Sequence, residues 1–312
     1  RPGIKVGVVG TYDENDFTNS HSAVTNPVDS AVHRGWSAVM LTHLARSNQV
    51  PDFYELHYYG HTENSSVLLP PERANDYHLL RSGAYERRAV ERCRKMLCDY
   101  LGPVNGSNVA IHVTENNCVG YDPGKQMLSL VNGMFVPEMF SQAALGGADA
   151  FLWWDLHNNP FTNHNNSTTL HGWRNYGDFG LLAVGDSAPL GDAVNEPYPP
   201  FYGFKLLTNF ARAGDHLVEI TGNYPDTFLA YACVPSDTAS VRLLVINLSP
   251  DTALRPSIAL DGFTPGSGAT VFTYGIPEDA GRADITVTNL AITSPTNIRY
   301  TFPKYSMTVL RF

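Results

Sequence analysis

Four segments of the chain run from apolar residues into side chains that do chemistry. Asn108-Val-Ala-Ile-His-Val-Thr-Glu-Asn-Asn117 ends on Glu115 and Asn116. Asp52-Phe-Tyr-Glu-Leu-His-Tyr-Tyr59 ends on His57 and Tyr59. Ala150-Phe-Leu-Trp-Trp-Asp-Leu156 ends on Trp153, Trp154 and Asp155, with His157 next. Ile4-Lys-Val-Gly-Val-Val-Gly10 leads into Thr11-Tyr-Asp-Glu-Asn15, which holds Glu14. A carboxylate beside a histidine and a tyrosine can act as nucleophile or as general acid/base, and donors next to it orient it and keep it ionised. Flat apolar tryptophan faces suit the C–H faces of sugar rings. Polar loops account for some of this pattern, but Trp, His and Tyr at these ends exceed what solvation requires.

The elements that must position these residues alternate. The four segments above read as buried strands. Between and after them, helical periodicity covers Ser30–Arg46, Tyr85–Leu101, Phe135–Leu145 and Phe201–Ala211. Strand and helix in alternation imply parallel pairing with right-handed crossovers. A closed barrel needs eight strands, so four units make half a barrel or a small open sheet. In a (β/α) barrel the active groups sit where strands end. On regular alternation Ile111, Val113 and Glu115 share one face, and Glu115 points at the barrel axis if Ile111 and Val113 fill the interior. His57 and Tyr59 share a face from which they can reach it.

After about residue 214 short strand-like runs replace helices: Leu217–Thr221, Thr227–Cys233, Val241–Asn247, Ser257–Leu260, Ala269–Tyr274, Ile298–Phe302 and Ser306–Phe312. This spacing predicts an antiparallel sandwich. The expected fold class is α/β plus all-β, with a (β/α)4 half-barrel over 1–213 and a β-sandwich over 214–312.

Composition sets the limits. Of the 312 residues 43% are hydrophobic and 16% charged, an ordinary globular balance. The net charge is −9 and no long basic run occurs, which argues against nucleic acid. No apolar stretch has membrane-span length, so no membrane is expected as a partner. The opening Arg1-Pro-Gly-Ile-Lys resembles neither a signal peptide nor a translation start, so a leader or more is expected to precede it. Cys93, Cys98, Cys118 and Cys233 form no CxxC pair and are expected to be reduced thiols. His57 and His61, and the loop histidines His157, His164 and His171, lack a convergent further ligand, so neither a metal nor any other cofactor is expected. Asp13, Asp16 and Glu55 read as loop caps or solvated carboxylates.

Val113-Thr-Glu-Asn-Asn117 resembles the seventh-strand nucleophile motif of clan A, the large retaining clan of (β/α)8 glycoside hydrolases. The surroundings match in order. Asp52–Tyr59 resembles the sixth strand with its His and Tyr, Ile4–Asn15 the fifth, and Phe151-Leu-Trp-Trp-Asp155 the eighth with its aromatic platform. The segment ending Pro303–Phe312 resembles the C-terminal β domain of α-L-arabinofuranosidase-type and β-xylosidase-type members. The resemblance implies hydrolysis of O-glycosidic bonds in plant-type or other oligosaccharides by a parent enzyme that is secreted or periplasmic. It casts Glu115 as nucleophile, His57 and Tyr59 as its positioning groups, Trp153 or Trp154 as sugar platform, and Asn116 and His157 as substrate contacts.

The family's acid/base lies on the fourth strand, which has no counterpart here. A retaining mechanism needs two carboxyl groups about 5–5.5 Å apart. Asp155 and Glu14 are the substitutes within the chain. A second copy is the substitute outside it, and the open edges of a half-barrel predict a homo-oligomer, a dimer or higher. The alternative is a catalytically inactive, truncated half-barrel that binds carbohydrate or assembles with itself.

Overall fold

The computed structural model describes residues 3–60, 62–64, 67–68, 75–120, 123–162, 167–185, 192–218, 220–236 and 239–312; His61 and His164 lie outside them. Four strands form one parallel sheet: β1 (Gly7–Val9), β2 (Phe53–Tyr59), β3 (Ala110–Asn117) and β4 (Ala150–Phe151), in that spatial order. The helices that follow the first three strands are α1 (Trp36–Arg46), α2 (Gly83–Leu101) and α3 (Leu130–Leu145). The sheet does not close on itself among the described residues: β1 and β4 are its edges.

The two central strands, β2 and β3, are buried on the face that meets the helices. Tyr54, Leu56 and Tyr58 alternate with Phe53, Glu55 and His57, and only the first set is fully buried. The Tyr54 hydroxyl joins Ser37 of α1 at 2.8 Å, and the Thr11 N–H donates to it at 2.8 Å, which fixes the end of β1 to β2 and to the helix layer. On the other face the Phe53 ring stacks on His112 at 4.8 Å between centroids.

Two elements depart from the sequence pattern. The first helix begins at Trp36 and not at Ser30. Ser30 has φ +64°, a left-handed conformation that no L-residue helix continues. The chain turns there, and Val24–Thr25 pairs antiparallel with Val32–His33. The third helix begins at Leu130, five residues before the expected Phe135. Gly133 hid this turn because glycine lowers helix propensity. It is required here, since a Cβ would come 2.9 Å from the Pro199 carbonyl oxygen.

By contacts the chain divides into two compact units, Arg1–Pro123 with Met139–Leu156, and Gly124–Glu138 with His157–Phe312. The second holds α4 (Pro199–Phe210) and a six-stranded antiparallel sheet. Its strands are β5 (His216–Val218), β6 (Phe228–Val234), β7 (Arg242–Asn247), β8 (Gly268–Gly275), β9 (Thr286–Ala291) and β10 (Ser306–Arg311), in the order β5-β6-β7-β10-β8-β9. Ser257–Ile258 and Ile298–Arg299 form a separate pair. Phe228, Leu243, Val245, Val271, Phe302 and Leu310 make its core. The sequence pattern missed β9, an exposed edge strand with no apolar alternation. Its signal was the β-branched run Ile285-Thr-Val-Thr288. Cys93, Cys98, Cys118 and Cys233 are all free thiols.

Candidate active site

The site is built at the C-terminal ends of β2 and β3. Along these strands Tyr54 pairs with Ile111 and Leu56 with Val113, and then the register shifts. His57 pairs with Glu115, leaving Thr114 as a bulge without a Cα partner. The Thr114 hydroxyl lies 3.5 Å from the Leu56 carbonyl oxygen. This corrects the parity argument. Ile111 and Val113 are wholly buried and face the helices with Tyr54 and Leu56. On regular alternation Glu115 would have followed them there. The extra residue turns it to the face of His57, as bulges beside functional sites do.

Glu115 meets both groups expected beside it. The Tyr59 hydroxyl donates to Glu115 Oε2 at 2.6 Å, and His57 Nδ1 lies 3.3 Å from the same oxygen. The Glu115 side chain keeps 24% of its surface exposed and His57 46%, so the carboxylate is reachable yet held. Burial raises the Tyr59 phenol far above its ordinary range, reinforced by its bond to Glu115, the Glu115 charge and the Asp155 charge. Tyr59 therefore stays protonated and remains a donor.

The other expected residues divide. Asp155, next after Trp154, is half-buried, and its charge acts on Tyr59. Trp154 is 42% exposed and Trp153 half-buried. The Trp154 backbone is tied to the end of β3: its N–H donates to the Asn116 carbonyl at 3.0 Å, and Asn117 Nδ2 donates to its carbonyl at 2.6 Å. Only Ala150–Phe151 of the expected fourth strand forms ladder pairs, so the two tryptophans lie beyond it.

Asn116 lies on the face of β3 opposite Glu115. It is fully buried and donates to Glu86 Oε2 of α2 at 3.0 Å, because its register partner Tyr58 faces the helices. Glu14 has partners of its own. Its Oε1 accepts from Asn26 Nδ2 at 2.9 Å and from the Tyr100 hydroxyl at 2.8 Å, with His33 Nε2 at 3.5 Å. His157, in the second unit, is exposed and bonded through Nε2 to Asn195 Oδ1 at 2.9 Å. Asp13 Oδ1 accepts from the Asn15 N–H at 2.8 Å, a loop cap as expected.

Glu86 was not singled out in the sequence. The signal was available: it sits four and seven residues before Val90 and Cys93, on the buried stripe of α2, where a carboxylate needs a partner.

A scan against protein-family models finds none that matches, and no curated protein matches by sequence. Solved structures do match. The α-L-arabinofuranosidase from Thermotoga maritima, solved as an arabinose complex, is 16% identical, with a TM-score of 0.59, over 88% of this chain and 55% of that one. A Paenibacillus polymyxa xyloglucanase of glycoside hydrolase family 44 is 14% identical, with a TM-score of 0.59, over 89% of this chain and 51% of that one. The family 51 arabinofuranosidase from Xanthomonas axonopodis pv. citri is 12% identical, with a TM-score of 0.60, over 88% and 55%. The chain thus spans about half the length of the structures it resembles. It has the fold of the corresponding part of the clan A glycoside hydrolases.

Proposed function

We propose that this chain carries the nucleophile half of a retaining glycosidase site, on a half-barrel whose four strands correspond to the fifth to eighth of a closed one. The observation that supports it most is the pair of contacts on Glu115 Oε2, from Tyr59 at 2.6 Å and His57 at 3.3 Å. Both use one oxygen. Among the described residues Oε1 has no bonding partner, which leaves it for the anomeric carbon. Glu115 attacks that carbon and the aglycone oxygen leaves with the bonding pair. A second carboxyl group normally protonates the leaving oxygen and then activates water. Within the chain Asp155 is the better-placed substitute, since its charge reaches Tyr59.

The chemistry gives a test that does not need the second carboxyl group. A dinitrophenolate leaves without protonation. Dinitrophenyl glycosides of arabinofuranose, xylose and glucose are mixed with the chain, and dinitrophenolate release and protein mass are followed. The expected result is a burst of about one equivalent with one glycosyl group added to the protein, by analogy with acyl-enzyme bursts. The Glu115→Gln variant gives neither. Absence of burst and adduct with all three sugars overturns the proposal.

A further inference from the structure

The second unit contains a cavity that the Glu115 chemistry does not use. It measures about 200 Å³ and is lined by Asp279, Tyr274, Arg174, Arg282, Glu196 and Pro199 among others. This is below the roughly 300–1,000 Å³ of drug-sized sites, so it suits a ligand of one ring. Asp279 is the unusual member. It is only 6% exposed, and among the described residues no donor or cation is bonded to its carboxylate. Buried carboxylates are ordinarily paired. Tyr274 is within reach of the Asp279 charge but makes no hydrogen bond to it.

The cations of the wall are committed elsewhere. Arg174 Nε donates to Asp192 Oδ2 at 3.3 Å and its NH1 to the Leu128 carbonyl at 3.1 Å. Arg282 NH1 donates to Glu196 Oε1 at 2.8 Å and lies 3.5 Å from Asp192 Oδ1. Counting Asp192, which lies outside the lining but pairs with both arginines, two guanidinium groups and two carboxylates cancel, and Asp279 is the excess charge. An anionic ligand would meet that charge with no uncommitted cation to balance it. A cationic ligand would meet both guanidinium groups. A neutral ligand rich in hydroxyl donors fits: two neighbouring hydroxyls can share the Asp279 carboxylate, a third can bond Tyr274, and a C–H face can lie on the Pro199 ring.

We infer that this cavity is a binding site for a single neutral sugar ring, held by Asp279 and Tyr274 and separate from the Glu115 chemistry. The test uses the chain with 13C-labelled tyrosine, in a Glu115→Gln background so that nucleophile chemistry is removed from every measurement. Glucose, xylose and arabinose are titrated in turn. The ring signals of Tyr274 and of Tyr202, which also lines the cavity and stacks on Tyr274 at 4.5 Å, are assigned from Tyr202→Phe and Tyr274→Phe and are expected to shift saturably with at least one sugar, at a Kd of about 1–10 mM. Asp279→Asn is expected to raise that Kd at least about fivefold without unfolding the chain, and Tyr274→Phe to raise it about threefold, the loss of one neutral hydrogen bond. No shift with any of the three up to about 100 mM, or the same Kd in both variants, overturns the inference. Failure of the Glu115 burst leaves it standing, because no step here uses Glu115.

Discussion

The Tyr59 hydroxyl donates to Glu115 Oε2 across two neighbouring parallel strands at 2.6 Å. Tyr59 is not the register partner of Glu115. That partner is His57, and Tyr59 lies two residues further along β2. The phenol reaches back along the strand while the imidazole approaches from beside it, so two groups fix one carboxylate oxygen. Removing the phenol in Tyr59→Phe loses a hydrogen bond to a charged group, worth about 1.5–3 kcal/mol. The burst with dinitrophenyl glycosides is expected to slow about 10- to 100-fold in a variant that stays folded at the assay temperature. An unchanged burst rate would mean that Tyr59 does not position the carboxylate.

The bulge at Thr114 makes an asymmetric prediction. If Glu115 reached its face by regular alternation, adding or removing one residue before it would each reverse its direction. With a bulge, deletion of Thr114 leaves a regular strand in which Glu115 still follows Val113 onto the face of His57. Insertion of one alanine between Thr114 and Glu115, with Thr114 still bulged and the alanine paired with His57, turns the carboxylate toward the buried helices, at a cost of about 3 kcal/mol or more. Glycosyl trapping is therefore expected to survive the deletion and to vanish on insertion. Equal loss in both would remove the bulge from the account.

The bulge also explains what was legible. The order of strands and helices, the strand ends and the cluster of Glu115, His57 and Tyr59 follow from apolar runs closed by polar residues. The face of Glu115 did not follow, because the alternation rule assumes one residue per register step and Thr114 breaks it. Asn116 was cast as a substrate contact by the resemblance of the motif Val113–Asn117, and its burial against Glu86 follows from the same register shift. The edge strand β9 escaped for a different reason: its residues are mostly exposed, so it carries no core-facing alternation. Asp279 escaped because nothing in the segment Gly275-Ile-Pro-Glu-Asp-Ala280 distinguishes a buried carboxylate from an exposed helix-capping one.

Asn116 separates stability from chemistry. It sits beside Glu115 in the sequence but bonds Glu86 behind the sheet. Asn116→Ala removes a hydrogen bond to a fully buried carboxylate and is expected to destabilise the chain by about 1–3 kcal/mol. His57→Ala, at a half-exposed side chain, is expected to slow the burst without a comparable change in denaturant midpoint. Chemical denaturation and burst kinetics on both variants check this. Asn116→Ala with full stability and lost chemistry would return Asn116 to the substrate.

The open sheet predicts association. Val9 on β1 and Leu152 just beyond β4 are exposed apolar residues at its two edges, and unpaired parallel edges recruit further strands. We propose that in the isolated chain a second copy covers them, a closed pair being the commonest assembly. Sedimentation is expected to give about twice the chain mass at micromolar concentration, and Val9→Lys with Leu152→Lys to return it to the monomer. A monomeric wild-type chain would remove a second copy as a source of the acid/base carboxyl group.

Asp279 gives a pH dependence with a definite sign. Burial pushes its carboxyl from 3.8 up to about 6, opposed by the nearby Arg174 charge. The folded state therefore holds the proton more tightly than the unfolded chain does. Its contribution to stability is full below about pH 4 and is lost as pH rises through about 6. A difference of this size corresponds to a few kcal/mol, order of magnitude, carried as a penalty at neutral pH. Asp279→Asn keeps the shape and removes the ionisation. The variant is expected to be more stable than wild type at pH 7.5, with the difference shrinking between about pH 6 and pH 4. Urea midpoints at several pH values measure it. A sugar bound at the cavity should narrow the gap at pH 7.5, since a ligand that binds only the folded state stabilises it by mass action and its hydroxyls supply the donors the carboxylate lacks. A variant no more stable than wild type at pH 7.5 would mean that the ionised Asp279 is already solvated, and the penalty that marks it as a ligand group would be absent.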